Sequence, residues 1–180
     1  MINKNWSIVK SDYLIKNHWL TVRKDHVLLP NGSEMDDFYV MEYPDWVTVI
    51  AITTDGKFVV ERQYRHGIQQ TCTELCGGTT EKGEPPLDTA KRELLEETGY
   101  SGGVWSEYAP TAPNPSAMTN ICHTFIANGV EKVAEQNLEK TEDIDIVLMT
   151  KDELITAMKN GEISQGDMLA PLWRYMYDNK

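Results

Sequence analysis

Stretches in which apolar residues alternate with polar ones, or run on without interruption, predict the β-strands of this chain. The run at residues 47–52 is β-branched or apolar throughout, which is typical of a strand buried on both faces. Asp55-Gly56 follows it and is a strong hairpin signal, so the next strand should pair back onto it. The predicted strands span residues 19–29, 36–43, 47–52, 57–64, 71–75, 104–108, 121–127 and 144–149.

Helical spacing marks residues 85–98. The positions that should form the buried side of this helix recur at intervals of three or four: Leu87, Ala90, Leu94 and Thr98. Pro85-Pro86 suits the first turn of a helix, and Gly99 suits the position just after its last turn. Two more helices are predicted near the end of the chain, over residues 151–160 and 166–177.

Together these elements predict an α/β (α+β) fold in which a mixed β-sheet is sandwiched between helices. The first two predicted strands are joined by the turn signal Pro30-Asn31-Gly32, so we expect them to form a small N-terminal β-hairpin lobe. We accordingly divide the chain into this lobe, residues 1–44, and a main domain, residues 45–180.

Charge and composition narrow the classes of partner. The formal net charge of −11 argues against a nucleic-acid backbone as the ligand. No stretch approaches about eighteen apolar residues, and the first residues lack the apolar run of a signal peptide. We therefore expect a cytoplasmic protein that spans no membrane. The three cysteines, an odd number, fit reduced thiols that pack as small buried hydrophobes.

The predicted helix carries an acidic stripe. Glu93, Glu96 and Glu97 stand at i, i+3 and i+4, so they cover one sector of about 100° on the helix surface. Three such carboxylates repel each other, and a solvated acidic face is one explanation for them. A hard divalent cation reverses the sign of the interaction, since Mg²⁺ and Mn²⁺ take oxygen ligands of this kind. The stripe alone leaves both explanations open.

The residues around the stripe favour the metal-binding explanation, because they resemble a known motif. Residues 78–100 read GTTEKGEPPLDTAKRELLEETGY, which resembles the Nudix box, GX₅EX₇REUXEEXGU. Every specified position matches except the last, where Tyr100 replaces an aliphatic residue. The resemblance covers the chain from about Trp46 to the C-terminus and implies a Nudix catalytic domain that uses Mg²⁺, with Mn²⁺ as a substitute.

The resemblance also implies roles for single residues. The implied metal ligands are the backbone of Gly77 and the carboxylates of Glu93, Glu96 and Glu97. Glu97 is also expected to be catalytic, together with Arg92, which would hold the carboxylates in place by ion pairing. Glu84 is expected to support the site or to bind a further ion.

Two segments upstream of the box indicate a subgroup. Residues 62–65 and 74–78 are similar to the "RQYR" and "ELPGG" segments of ADP-ribose pyrophosphatases, although Cys76 replaces the proline. Arg65 fits either a phosphate contact or a structural pair with Glu74, and both residues are expected to bind substrate. Pro115, fifteen residues after Tyr100, resembles a further mark of the subgroup. The implied reaction is hydrolysis of ADP-ribose to AMP and ribose 5-phosphate.

Other substrates remain as alternatives, namely GDP-mannose, a dinucleoside polyphosphate or a nucleoside triphosphate. A nucleotide-binding module without catalysis is a further alternative, but such modules usually lose box glutamates, and all four are present here.

The remaining assignments concern the adenine, the subunit contact and the general base. Trp19 resembles an aromatic residue that stacks on adenine in dimeric members of the subgroup, although a packed strand tryptophan is equally consistent with the pattern. The N-terminal lobe resembles a segment exchanged between subunits, so we expect a homodimer.

Glu142 is the expected general base, with Glu139 as the reserve and His123 as a third candidate.

Overall fold

Nine strands and three helices lie within residues 4–18, 20–108 and 110–179, the ranges that the computed structural model describes. The strands are β1 (Ser7–Lys16), β2 (Thr21–Leu28), β3 (Glu34–Glu42), β4 (Trp46–Thr53), β5 (Phe58–Arg65), β6 (Gln70–Glu74), β7 (Tyr100–Glu107), β8 (Cys122–Lys132) and β9 (Asp145–Met149). The helices are α1 (Pro86–Thr98), α2 (Lys151–Asn160) and α3 (Gly166–Asp178). In these ranges, no helix combines the length and the apolarity that crossing a bilayer requires.

The elements divide into two compact units. The first consists of the chain up to Pro44 together with Ala112–Asn120, and the second of Asp45–Thr111 and Ile121–Lys180. The first unit is built on an antiparallel sheet in the order β1-β2-β3. The expected hairpin is therefore completed by a third strand, β1, which the hydrophobic pattern did not predict.

The pattern of β1 is obscured by two irregularities in its pairing with β2. Register shifts lie between Ile8 and Lys10 and between Tyr13 and Ile15. Each shift changes which face the following side chains occupy, so the apolar residues do not alternate regularly along the sequence. Every residue of β1 is also exposed, so the strand lacks the buried face that normally imposes alternation.

The second unit contains the mixed sheet that the sequence predicts. Its strand order is β6-β5-β4-β8-β7. In addition, β9 pairs with residues 58–62 of β5, and Glu61 and Arg62 in this stretch also pair with β6. The pairing of β4 with β8 is parallel, whereas the other pairings are antiparallel. A mixed sheet between helices, as expected, is confirmed.

Strand β4 lies at the centre of this unit and is buried on both faces, which explains its continuous apolar run. On one face, Val49 packs in a cluster with Leu94 of α1. On the other face, Ile50 packs in a cluster with Leu154 of α2 and Leu172 of α3. The α1 face of the sheet is the one that carries the candidate site.

Candidate active site

Helix α1 presents the acidic stripe because its opposite side is fixed to the sheet. Ala90 and Leu94 are fully buried, and both belong to the cluster that covers this face. The helix ends at Gly99, whose φ of 74° lies in the left-handed region and whose N–H donates to the Leu95 carbonyl. Glu93 and Glu97 lie at the edge of the packed side, because each follows one of these buried residues by three positions. Glu97 is only 6% exposed.

Arg92 joins the carboxylates of the site into one network. Its Nε and Nη2 donate to the two oxygens of Glu84 at 3.1 and 3.2 Å. Its Nη1 donates to Glu93 Oε1 at 3.0 Å and to Glu96 Oε2 at 3.1 Å. One guanidinium therefore spans the loop before α1 and two turns of the helix, a task that the planar five-donor group of arginine can perform.

The segment Cys76-Gly77-Gly78 closes the other side of the site. The Gly77 N–H and the Cys76 thiol both donate to Glu97 Oε2, at 3.2 Å each. A Cβ atom on Gly77 would collide with the Val47 carbonyl oxygen, and one on Gly78 would collide with the Glu93 carboxylate. Glycine therefore lets the backbone approach β4 closely at position 77 and the Glu93 carboxylate closely at position 78.

The electrostatics of the site favour a cation. Burial raises the pKa of Glu97 to about 7, and the neighbouring charges of Glu93 and Glu142 act in the same direction. Burial also raises the pKa of Glu93, with the charges of Glu96 and Glu142 contributing. Glu84 behaves oppositely, because its hydrogen bonds from Arg92 and Thr89 lower its pKa to about 2.

These observations fit a hard divalent cation as the ligand. The donor set consists of carboxylate oxygens gathered on one helix edge, and the single arginine beside them is shared among three glutamates. At Gly78, a Cβ atom would occupy the space beside the Glu93 carboxylate, which glycine leaves open. A bound cation would stabilise the ionised forms of Glu93 and Glu97, which burial disfavours.

The three candidates for the general base lie in different surroundings. Glu142 is half-buried, and its charge contributes to the raised pKa of Glu93 and Glu97, so it faces the stripe. Its Oε2 accepts a hydrogen bond from the N–H of Glu139, at 2.8 Å, and Glu139 itself is exposed. His123 instead lies 3.7 Å from Asp45 and 3.4 Å from Glu107 through its ring nitrogens.

Arg65 and Glu74 form a pair across strands β5 and β6. Arg65 Nε lies 3.0 and 2.9 Å from the two oxygens of Glu74, and Nη2 lies 2.5 Å from Oε2. Glu74 is almost fully buried, whereas the Arg65 side chain is 42% exposed. Of the two interpretations that the sequence left open, the structural pair is present, and the exposed part of the guanidinium remains available to a ligand.

A cavity of about 650 Å³ in the second unit lies beside the glycine segment. Its lining includes Trp46, Arg65, Glu74, Gly78, Gln165 and Asp167. Sequence reasoning missed Trp46, whose only signal was an aromatic ring at the start of a buried strand. It also missed Gln165 and Asp167, which the start of α3 brings to the cavity from far along the chain.

Trp19 lies outside the described residues. Pro115 belongs to the first unit, with the segment Ala112–Asn120.

Comparison with known proteins agrees with this geometry. The chain matches the NUDIX domain over residues 43–171, which include the whole of the box. It also matches the nucleoside diphosphate sugar hydrolase N-terminal domain over residues 6–41.

Individual proteins are similar over most of their length. The methanol dehydrogenase activator of Bacillus methanolicus is 33% identical over 156 residues, which are 86% of this chain and 84% of that protein. The ADP-ribose pyrophosphatase of Bacillus subtilis (strain 168) is 30% identical over 140 residues, or 77% and 75% of the two chains. A crystal structure of an ADP compounds hydrolase has the same fold, with a TM-score of 0.82 at 17% identity over 94% of this chain and 91% of that one. The chain that presents this glutamate-lined helix belongs to the NUDIX family of hydrolases.

Proposed function

We propose that the protein hydrolyses the pyrophosphate bond of a nucleoside diphosphate sugar in a Mg²⁺-dependent reaction, with ADP-ribose as the first substrate to test. The products would be AMP and ribose 5-phosphate. The observation that carries the proposal is the cluster of Glu93, Glu96 and Glu97 against the Cys76-Gly77-Gly78 segment. The match of residues 6–41 to a nucleoside diphosphate sugar hydrolase domain supports the substrate class.

The metal-binding residues in this proposal are the three stripe glutamates and the backbone carbonyl of Gly77. These residues would hold Mg²⁺, or Mn²⁺ in its place, which would neutralise charge at the pyrophosphate and lower the pKa of the attacking water. Arg92 positions the carboxylates through the ion pairs described above, and Glu84 fixes Arg92 from the preceding loop.

Glu142 is the proposed general base. It is half-buried and close enough to Glu93 and Glu97 to influence their protonation, so its carboxylate can accept a proton from water held at the stripe. Its hydrogen bond with the Glu139 backbone orders the loop that carries it. Glu139 remains the reserve candidate.

The cavity beside Gly78 is the proposed binding site for the rest of the substrate. Arg65 uses Nε and Nη2 to hold Glu74, so Nη1 is the nitrogen through which it would bind a phosphate oxygen. Glu74 contributes by holding Arg65 in position, and the ring of Trp46 offers an apolar surface for a base or a ribose. Trp19 is retained as a second candidate for stacking on adenine.

We also propose a cytoplasmic homodimer that forms through the N-terminal unit. Strand β1 exposes Ile8, Val9, Leu14 and Ile15, each more than 40% exposed. An edge strand with this many apolar side chains is a surface that monomeric proteins rarely leave uncovered. The free thiols of the three buried cysteines fit a reducing compartment.

A substrate panel with product identification tests the proposed function. The purified chain would be incubated with Mg²⁺ and ADP-ribose, GDP-mannose, a dinucleoside polyphosphate or a nucleoside triphosphate, and the products would be separated by chromatography. We expect ADP-ribose to give AMP and ribose 5-phosphate at the highest kcat/KM. A higher kcat/KM for GDP-mannose or a triphosphate would identify that compound as the preferred substrate, and the proposed reaction type would stand.

Loss of the whole reaction would have a different meaning. If no member of the panel were cleaved with either Mg²⁺ or Mn²⁺, the chain would be a nucleotide-binding module rather than an enzyme. The relative named as a dehydrogenase activator makes this alternative worth a direct measurement, namely nucleotide binding by calorimetry.

A further inference from the structure

A second group of potential ligands lies beneath the acidic stripe. Glu61, Cys76 and Glu97 bring two carboxylates and a thiol together so that one ligand atom of each lies within 4.8 Å of the others. Glu61 and Cys76 are fully buried, and Glu97 is 6% exposed. Glu61 reaches this position because β5 alternates, with Phe58 and Val60 in the cluster on one face and Val59 in the cluster on the other.

Glu61 has no partner that would account for its burial. Within the described part of the chain, neither of its carboxylate oxygens has a hydrogen-bond partner. Arg65, whose charge acts on Glu61, already holds both oxygens of Glu74. Burial raises the pKa of Glu61 well above its ordinary value and so favours the neutral carboxyl, whereas a bound cation would favour the ionised form.

The residues that depart from the expected pattern are the ones that build this group. Cys76 stands where the related "ELPGG" segments carry proline, and Glu61 interrupts the apolar run of β5. Glu97 connects the group to the stripe, because its Oε2 accepts a hydrogen bond from the Cys76 thiol at 3.2 Å. A hydrophobic residue at position 61 would fill the same space without a desolvation cost, so the packing of the core does not explain a glutamate there.

We propose that Glu61, Cys76 and Glu97 form a second, buried metal site that selects a divalent transition metal of the Zn²⁺ class over Mg²⁺. Two carboxylate oxygens and one sulfur supply three protein ligands, the number that an open tetrahedral Zn²⁺ site uses, and Zn²⁺ binds both kinds of atom. A thiolate ligand favours such a metal, whereas Mg²⁺ takes oxygen ligands. On binding, the Cys76 thiol releases its proton to water and its sulfur forms the bond to the metal. The proposal rests on the proposed function only in sharing Glu97 with the stripe.

Cobalt titration of the full chain tests the site directly. Co²⁺ takes the same ligands as Zn²⁺, and a thiolate bound to it gives a sulfur-to-cobalt charge-transfer band in the near ultraviolet. We expect the wild-type chain to develop this band with one equivalent of Co²⁺. Zn²⁺ should abolish the band by displacing Co²⁺, whereas a millimolar concentration of Mg²⁺ should leave the band unchanged.

Three variants assign the band to its ligands. Cys76→Ser should abolish it, whereas Cys72→Ser, which alters another buried cysteine outside the group, should retain it. Glu61→Gln keeps the volume of the side chain and should weaken Co²⁺ binding about tenfold or more. Circular dichroism of each variant establishes that it is folded. If Cys76→Ser were unfolded, the wild-type band and its weakening in Glu61→Gln would still decide the assignment.

A folded wild-type chain without the band, or a band that persists in folded Cys76→Ser, would overturn the proposal. Equal Co²⁺ affinity in wild type and Glu61→Gln would remove Glu61 from the site and overturn it as well. The spectrum is recorded without substrate, so it remains interpretable whether or not the chain hydrolyses ADP-ribose. Conversely, the hydrolysis panel with Mg²⁺ does not depend on the cobalt result.

Discussion

Arg65 holds Glu74 through two nitrogens, although the arginine is 42% exposed and the glutamate almost fully buried. The two residues are not cross-strand neighbours, because Arg65 pairs with Gln70 and Glu74 pairs with Glu61, at opposite ends of the β5–β6 ladder. The Arg65 side chain therefore reaches along the strands to its partner. The pair therefore has a structural role that is separable from any contact with substrate. Two different measurements therefore separate these roles. The free energy of unfolding reports the structural pair, and KM reports a contact with substrate.

Replacing Arg65 with methionine should destabilise the fold. The change removes the charged partner of the buried Glu74 carboxylate and leaves only the Gln63 amide, 3.4 Å away, to donate to it. We expect a cost of about 2–3 kcal/mol, less than for a fully buried pair because the arginine is partly solvated. Urea unfolding measures the effect. The double variant Arg65→Met, Glu74→Leu should recover part of the stability, and a double variant that is less stable than Arg65→Met alone would contradict this explanation.

Replacing Glu97 with glutamine should lower kcat by about a hundredfold or more while the chain remains folded, because the variant loses a charged ligand at the reacting centre. Glu135→Gln is the matched control, since Glu135 is 91% exposed and lies outside the stripe. Both variants would be assayed with ADP-ribose and Mg²⁺, and their folding compared by circular dichroism. Wild-type turnover in folded Glu97→Gln would refute the ligand role.

Replacing Gly78 with alanine should weaken activation by Mg²⁺. The new Cβ atom would collide with Glu93 Oε1, the oxygen that accepts a hydrogen bond from Arg92 Nη1, so the carboxylate must shift from its position. We expect about a tenfold increase in the Mg²⁺ concentration that gives half-maximal activity. Gly166→Ala is the control, because a Cβ atom there meets nothing within 4 Å. Equal Mg²⁺ dependence in the two variants would show that the close approach has no role.

The metal-free chain should lose stability as the pH rises from about 5 to 8. The pKa of Glu97 is about 7 in the folded chain, against an ordinary value of 4.5, so between these values the folded chain retains a proton that the unfolded chain has released. Raising the pH therefore favours unfolding, and the raised pKa of Glu93 acts in the same direction. Thermal unfolding with a chelator present measures this dependence.

Addition of Mg²⁺ should reverse that trend, because the ion binds the ionised carboxylates and stabilises the folded chain more at higher pH. Glu97→Gln provides the comparison, since an amide cannot titrate. The melting temperature of this variant should depend less on pH than that of the wild type. If the melting temperatures of Glu97→Gln and wild type depended on pH in the same way, a group other than Glu97 would be responsible.

A charged residue on β1 should dissociate the proposed dimer. Leu14 is 54% exposed in the single chain, and Leu14→Glu would place a charge within the apolar contact. Light scattering after gel filtration should change from a dimer mass for the wild type to a monomer mass for the variant. Ser7→Glu, at an exposed polar position of the same strand, should remain dimeric. A monomeric wild-type chain would rule the dimer out.

The sequence predicted most elements of the second unit because their patterns arise from burial. β4 is apolar throughout since both its faces are covered, and α1 repeats its apolar residues at helical spacing since one side is covered. β7 begins earlier than predicted, at Tyr100, because Ser101-Gly102-Gly103 contains no apolar side chain to extend the pattern. β1 was missed for the related reason that no face of it is buried.

The candidate site was predictable only where it is local in sequence. Helical spacing alone brings Glu93, Glu96 and Glu97 together, so their proximity follows from sequence. The hydrogen bond from Cys76 to Glu97 and the burial of Glu61 depend on how α1 and β5 pack, which no short-range pattern encodes. The same reason explains why Asp167 of α3 was not assigned to the cavity.

The contacts of Arg92 have a consequence for the entropy of loading the site with a cation. Its guanidinium already ties Glu84 of the loop to Glu93 and Glu96 of the helix, so these side chains have given up most of their rotational freedom before any cation arrives. Loading the site with a cation then needs little further ordering of these side chains. A lysine has a single nitrogen and could not bind both oxygens of Glu84 in the planar, forked geometry of arginine while also reaching Glu93 and Glu96, so each cation would meet a less ordered cluster.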